Sequence, residues 1–233
     1  MTPKPTLPLV LSPGACIGIV GGGQLGRMLA LAAAELGFQT HIFCPEENSP
    51  ATQVATFSTQ ANYDDKSALD IFANNVDVVT YEFENIPVPT VAHIETIKPV
   101  LPSAKALEVA QDRWVEKNFM RDLDLGVADF HDITSGQDLR AALDATQGEG
   151  ILKTRRFGYD GKGQWRLRAD SDLDATMAEL DGQPAILEAL VPFEREISLL
   201  VARNPVGDTA TYDALENVHK NHILHTSTLP ATL

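Results

Sequence analysis

The sequence predicts an α/β protein, with a doubly wound parallel sheet in its N-terminal part and a second α/β unit after it. Three observations carry that expectation. A strand, a glycine turn, a helix and a further strand follow one another between Ala15 and Cys44. Helices and buried strands go on alternating to about residue 110, the succession that a parallel sheet covered by helices requires. A new alternation then surrounds a basic, glycine-rich hairpin at residues 151–168.

With 233 residues the chain has room for one large domain or two small ones, and 44% hydrophobic residues suffice for a packed core. The formal charge of -14 and a pI near 4.7 speak against a general nucleic-acid surface, which needs many cations. A small anion at one basic spot stays compatible. Cys16 and Cys44 fall in neighbouring predicted strands without metal-ligand spacing, so reduced, buried thiols and a cytoplasmic location are expected. The apolar run from Thr6 to Ile19 is broken by Pro8, Pro13 and Gly14, and neither a signal peptide nor a membrane span is expected.

Ala15 to Val20 reads as a compact strand that ends in Gly21-Gly22-Gly23-Gln24-Leu25-Gly26. Leu25, Met28, Leu29, Ala32 and Leu36 then recur at helical spacing, with Gly37 as the stop. Gln39 to Cys44 is the second strand. Gly21, Gly23 and Gly26 satisfy the dinucleotide fingerprint, and Glu46 stands about where a ribose-binding acid would, although after Cys44-Pro45 a solvated loop carboxylate fits the position equally. A plain structural turn, or a turn that holds some other anion, has the same spacing.

Lys66 to Asn74 is expected as a helix with Leu69, Phe72 and Ala73 inward, and Val76 to Tyr81 as the next strand. Glu82 and Glu84 follow it, at the strand end where open sheets bind ligands. Alternatively one caps the following helix and the other is solvated; Glu82 is the one assigned to function, and Glu84 is left open. A helix and a short strand at Val100-Leu101 close the first unit. Ser103 to Ala110 and Asp112 to Leu123 read as helices, Ala128 to Ile133 as a strand, and Ser135 to Ala145 as a helix with Leu139 and Leu143 inward.

The hairpin comes next. Its flanks, Gly150 to Lys153 and Gln164 to Arg168, read as strands. Lys153, Arg155, Arg156, Lys162, Arg166 and Arg168 lie along it, and Gly158, Gly161 and Gly163 loosen its tip. Cations around inward-turned N–H groups suit a polyphosphate. Leu173, Met177 and Leu180 mark another amphipathic helix and Ala185 to Leu190 a strand. Beyond Val191, Glu194 to Val201, Thr209 to Leu215 and Ile223 to Thr228 are expected as strands, with no helix to cover them, as in an interrupted domain.

These residues resemble the ATP-grasp ligases, and among them the purine-biosynthesis branch. The resemblance rests on Gly-Gly-Gly-Gln-Leu-Gly-Arg-Met at 21–28, Tyr-Glu-Phe-Glu-Asn-Ile at 81–86 and Gln-Asp-Arg at 111–113. It continues with Leu-Lys-Thr and Gly-Tyr-Asp-Gly-Lys-Gly-Gln at 152–164, Glu188, Phe193-Glu194-Arg195-Glu196-Ile197-Ser198, and Glu216-Asn217-Val218-His219. It implies a pre-ATP-grasp domain at 1–110, a small ATP-grasp subdomain at 111–191, and at 192–233 the start of a large subdomain that is incomplete at the C-terminus.

The implied reaction carboxylates 5-aminoimidazole ribonucleotide with bicarbonate through carboxyphosphate, at the expense of ATP. The resemblance assigns Arg113 and Lys153 to ATP phosphates, with Gly158, Tyr159, Asp160, Gly161, Lys162, Gly163 and Gln164 as the loop folding over them. It assigns Glu188, Ala189, Leu190 and Val191 to the adenine, Glu196 to the ribose, and His219 to the nucleotide site. Tyr159 and Asp160 fall nearest the carboxylation centre, where Asp160 could orient the amine or accept its proton. Gln24, Leu25 and Glu82 resemble the aminoimidazole ribonucleotide site. The Mg2+ ligands are implied beyond Leu233, and a homodimer is implied as the assembly. Open beside this reading are a sister ligase using formate or another carboxylate, a non-catalytic nucleotide-binding module, and an NAD-dependent oxidoreductase built on the first glycine turn.

Overall fold

The computed structural model describes residues 10–158, 161–221 and 223–232, and the fold divides into two units between Gln111 and Asp112. Tyr159 and Asp160 lie outside the described residues.

The first unit runs β1 (Cys16–Val20), α1 (Gln24–Glu35), β2 (Gln39–Cys44), β3 (Phe57–Gln60), α2 (Lys66–Asn74), β4 (Val78–Tyr81), α3 (Val88–Glu95) and α4 (Ala104–Ala110). Its sheet has the order β3-β2-β1-β4, and every pairing is parallel. Successive strand residues point to opposite faces. Val20 and Phe43 therefore join Leu69, Phe72, Ile86, Ile94 and Leu107 on one side, while Ile19 and Ile42 meet Ala30 and Ala51 on the other. This is the doubly wound arrangement expected. Val100 forms a single parallel bridge to Val79 where a short strand was expected.

Two features depart from expectation. The edge strand β3 carries no apolar run, since Phe-Ser-Thr-Gln is mostly polar and largely exposed; hydrogen bonding to β2, not periodicity, makes it a strand. In α1 the residues that pack inward are Gly26, Ala30 and Ala33, and the helical stripe of Leu25, Met28, Leu29, Ala32 and Leu36 is exposed. The helix starts on the glycine turn and lies close to the sheet, so the small side chains have to face in. The larger ones are displaced outward.

The second unit begins with α5 (Arg113–Asp122), β5 (Phe130–Ile133), α6 (Gly136–Ala145), β6 (Glu149–Thr154), β7 (Gln164–Arg168), α7 (Leu173–Leu180) and β8 (Ala185–Ala189). An antiparallel sheet of order β5-β8-β6-β7 packs its Leu152, Leu167, Ala185 and Leu187 against Leu139, Leu143, Leu173 and Leu180 of the helices. Asp112, Ser135 and Asp172 each accept a hydrogen bond from a first-turn N–H of α5, α6 and α7 respectively, the side-chain chemistry that starts a helix.

The remaining strands are β9 (Glu196–Ser198), β10 (Val201–Arg203), β11 (Thr209–Thr211), β12 (Leu215–Lys220) and β13 (Ile223–Thr228). They form a sheet β13-β12-β9 and a separate pair β10-β11. The single strand expected over Glu194 to Val201 is thus broken. Glu196–Ser198 pairs with β12 and Val201–Arg203 with β11, with Leu199 and Leu200 between them.

Candidate functional site

Two glycine-rich places were expected to meet a ligand. In the first unit, Gly23 N–H donates to Glu82 Oε1 at 2.7 Å and Gly26 N–H to Glu82 Oε2 at 2.6 Å. The carboxylate of Glu82, placed by the end of β4, therefore sits on the N-terminus of α1. It occupies the position where a helix end would attract a phosphate. The glycines are needed for that approach: a Cβ on Gly21 would lie 2.5 Å from Glu82 Cγ, and Gly21 has φ +112°. A carboxylate capping α1 from another strand has no local sequence signal; the helix expected to receive a cap was the following one.

Beside this turn is a cleft of about 440 Å³ lined by Gly22, Gly23, Glu46, Tyr63, Glu82 and Phe83, among others. Glu46 thus shares a cleft with Glu82. Burial, aided by the nearby carboxylates of Glu46 and Glu82, pushes the Tyr63 hydroxyl above the usual tyrosine range, so it stays a neutral donor. Gln24 and Leu25 are exposed in the first turn of α1, and Glu84 is exposed.

The second place is the hairpin β6-β7, paired in register from Glu149↔Arg168 to Lys153↔Gln164. Gly161 and Gly163 have φ of +76° and +64°, backbone that glycine adopts freely. A Cβ on Gly163 would lie 2.6 Å from Thr154 Oγ1. Arg113, in the first turn of α5, donates to Thr154 O at 2.7 Å and to Gly158 O at 3.1 Å, so its guanidinium grips the base of the loop.

The hairpin cations are engaged within the chain. Arg155 holds Asp112 through Nε and Nη2 (2.9 and 2.8 Å) and approaches Asp132 at 3.4 Å; the bond to Asp112 raises its already high pKa. Arg166 and Arg168 both reach Glu149, whose carboxyl is held below the usual range by the bond to Arg166. Arg156 lies over the Phe157 ring at 5.4 Å. The gathering of positive charge thus serves in part to fasten the hairpin and the start of α5.

Lys153, next to last in β6, donates to Glu188 Oε2 at 3.0 Å. Glu188 lies on β8, one of the two inner strands, and is only 7% exposed. Its other oxygen is 3.4 Å from Lys117 Nζ. Sequence reading passed over Lys117, although it stands one helical turn after Arg113, a spacing that puts both cations on one face of α5. Glu116 beside it is half-buried, and that burial raises its pKa. Ala189, Leu190 and Val191 lead out of β8, with Val191 exposed.

Farther along, Glu196 on β9 and His219 on β12 are brought together by the pairing of those strands, with Nδ1 to Oε1 at 3.4 Å. Lys162 is exposed, while Gly161, Gly163 and Gln164 are half-buried in the loop and the start of β7. Among the described residues no group of three or more His, Cys, Asp or Glu is arranged to hold a metal ion. No described helix is long and apolar enough to cross a membrane.

The N-terminal unit matches the ribonucleotide synthetase preATP-grasp domain over residues 15–111, and residues 118–233 match the ATP-grasp domain. An N5-carboxyaminoimidazole ribonucleotide synthase of Brucella melitensis is 48% identical over 225 residues, covering 96% of this chain and 62% of that protein. A solved N5-carboxyaminoimidazole ribonucleotide synthetase in complex with ADP superposes with a TM-score of 0.89 at 40% identity, over 100% of this chain and 60% of the other. The Staphylococcus aureus N5-carboxyaminoimidazole synthetase, also with ADP, gives 0.90 at 33% identity, over 96% and 60%. The chain spans about three fifths of the length of these relatives. With both family models matched in order and together spanning most of its length, the chain belongs to the ATP-grasp family, a preATP-grasp domain of the ribonucleotide synthetase type preceding its ATP-grasp domain.

Proposed function

We propose that the chain carries the nucleotide-binding part of an ATP-dependent carbon–nitrogen ligase that carboxylates 5-aminoimidazole ribonucleotide with bicarbonate, giving 5-carboxyaminoimidazole ribonucleotide, ADP and phosphate in purine biosynthesis. The observation that carries this reading is Lys153: a lysine at the mouth of a glycine loop, tied to a buried carboxylate, in a chain whose relatives are named for this reaction and bind ADP.

In this reading Lys153 and Arg113 meet the nucleotide phosphates, Arg113 from the loop base where it already donates to Thr154 O and Gly158 O. Phosphoryl transfer asks mainly for positioned cations and N–H donors. Gly158, Gly161, Lys162, Gly163 and Gln164 supply these along the loop, together with Tyr159 and Asp160. Glu188 to Val191 border the adenine, and Glu196, beside His219, accepts from the ribose hydroxyls. Tyr159 and Asp160 stand nearest the carboxylation step. Gln24, Leu25 and Glu82 serve the aminoimidazole ribonucleotide; each Glu82 oxygen keeps a lone pair for an amine beyond its bond to the glycine turn.

The domains follow the same reading: a preATP-grasp domain at 1–110, a small ATP-grasp subdomain at 111–191 and the start of the large one from 192. Cytoplasmic location and a homodimer are part of it. So is Mg2+ as the companion of ATP, an ion that takes one or two carboxylates together with the phosphates. The dinucleotide alternative is disfavoured by Glu82, since a pyrophosphate would compete with a carboxylate for the same two N–H groups.

The deciding experiment measures ADP release with and without 5-aminoimidazole ribonucleotide and bicarbonate, on this chain and on one joined to the C-terminal part of a relative. Release that needs both substrates supports the reading. Release driven by formate instead assigns a sister ligase, and none from the joined protein despite ATP binding removes the substrate assignment.

A further inference from the structure

The Glu188 carboxylate has two lysine partners on different elements. Lys153 of β6 holds Oε2 at 3.0 Å and Lys117 of α5 approaches Oε1 at 3.4 Å. All three side chains are largely withdrawn from water, Glu188 most of all. Lys117 is fixed in place by its helix and by the Phe130 ring, 5.8 Å from its Nζ; Phe130 is the residue directly across from Glu188 in the β5-β8 pairing.

One lysine would satisfy the charge of one carboxylate, so the second needs a reason. Resting on the nucleotide reading above, we propose that Lys117 is a positioning residue. It keeps Glu188 neutralised so that Lys153 can turn from the carboxylate to a nucleotide phosphate. Without Lys117, moving Lys153 to the ligand leaves a buried carboxylate unpaired, a state that proteins strongly resist. Lys153 then stays with Glu188, and phosphate binding is lost while binding of the base is not. Lys117 itself makes no contact with the nucleotide in this account.

The test is calorimetric titration of the chain and its variants with ATP, ADP and adenosine, alongside thermal unfolding to verify the fold. Lys117→Met is expected to weaken ATP and ADP by about tenfold or more, with adenosine unchanged. Lys117→Arg, which keeps the charge, is expected to stay within about threefold of the parent. In a Glu188→Gln background there is no carboxylate to neutralise, so the Lys117→Met change is expected to have no effect on ATP. That background also lets the test proceed if Lys117→Met alone does not fold.

The proposal is overturned if Lys117→Met binds ATP as the parent does, if adenosine is lost with ATP, or if the loss is the same with Gln at 188. Lys153→Met separates this from the underlying reading. If the parent binds no ATP, or Lys153→Met binds it equally well, the nucleotide assignment fails and the role of Lys117 with it. A loss in Lys153→Met without one in Lys117→Met removes the role of Lys117 alone.

Discussion

The two glycine-rich turns of this chain look alike in sequence and are opposite in chemistry. At Gly21 to Gly26 the N–H groups are already taken by the chain's own Glu82 carboxylate. At Gly158 the neighbour is a cation, Arg113, which holds the loop base through two carbonyls, while Gly163 lies against Thr154. Glycine spacing reports only that the backbone must come close to something. The charge of the groups facing it decides what that something is.

The sharpest way to break this comparison is to remove the internal anion. Glu82→Ala should destabilise the first unit by about 2–4 kcal/mol, because two charge-assisted bonds are lost, read by denaturant unfolding. An unfolding midpoint like the parent's would mean that Glu82 does not hold the turn. Next in size, Gly163→Ala places a Cβ at φ +64° against Thr154 and should cost about 1–3 kcal/mol, with altered exchange of the amides around it. Should Gly163→Ala unfold like the parent, the second loop is less constrained than the first.

The claim that Arg155 fastens α5 and does not bind ligand is tested by Arg155→Met. With the pair largely but not wholly buried, about 1–2 kcal/mol of stability should go while ATP affinity holds. An ATP affinity that falls with little change in stability would restore Arg155 to the phosphate site.

The smallest expected effect belongs to the first unit alone. Burial lowers the pKa of His41, whose Nε2 lies 2.8 Å from Thr59 Oγ1. The unfolded imidazole therefore takes a proton more readily than the folded one, and protonation favours unfolding. Stability from this source is full above about pH 6.5, the unfolded value, and is lost as pH falls through the lower folded value. His41→Gln should flatten that part of the profile of the melting temperature against pH; an unchanged slope would assign the loss to other groups.

Much of the fold was legible because its elements are locally consistent. Leu69, Phe72 and Ala73 mark the inner face of α2, and Asp112, Ser135 and Asp172 start their helices with the right side chains. What was not legible depends on partners distant in sequence. The polar edge strand β3 exists through β2. In α1 the periodic leucines lie outside, since only Gly26, Ala30 and Ala33 fit the close approach to the sheet. At the site, glycines and cations were visible, but their partners Glu82, Asp112 and Glu149 are set by the fold. Lys117 was legible only as a helical neighbour of Arg113, since Glu188 lies 71 positions further on.

The most direct test of the contrast between the two turns is amide hydrogen exchange with and without ATP. The account predicts added protection in peptides spanning residues 152–164 and 185–191, with none at residues 20–27. Protection appearing at 20–27 while 152–164 exchanges unchanged would contradict it, and would return the nucleotide to the first glycine turn.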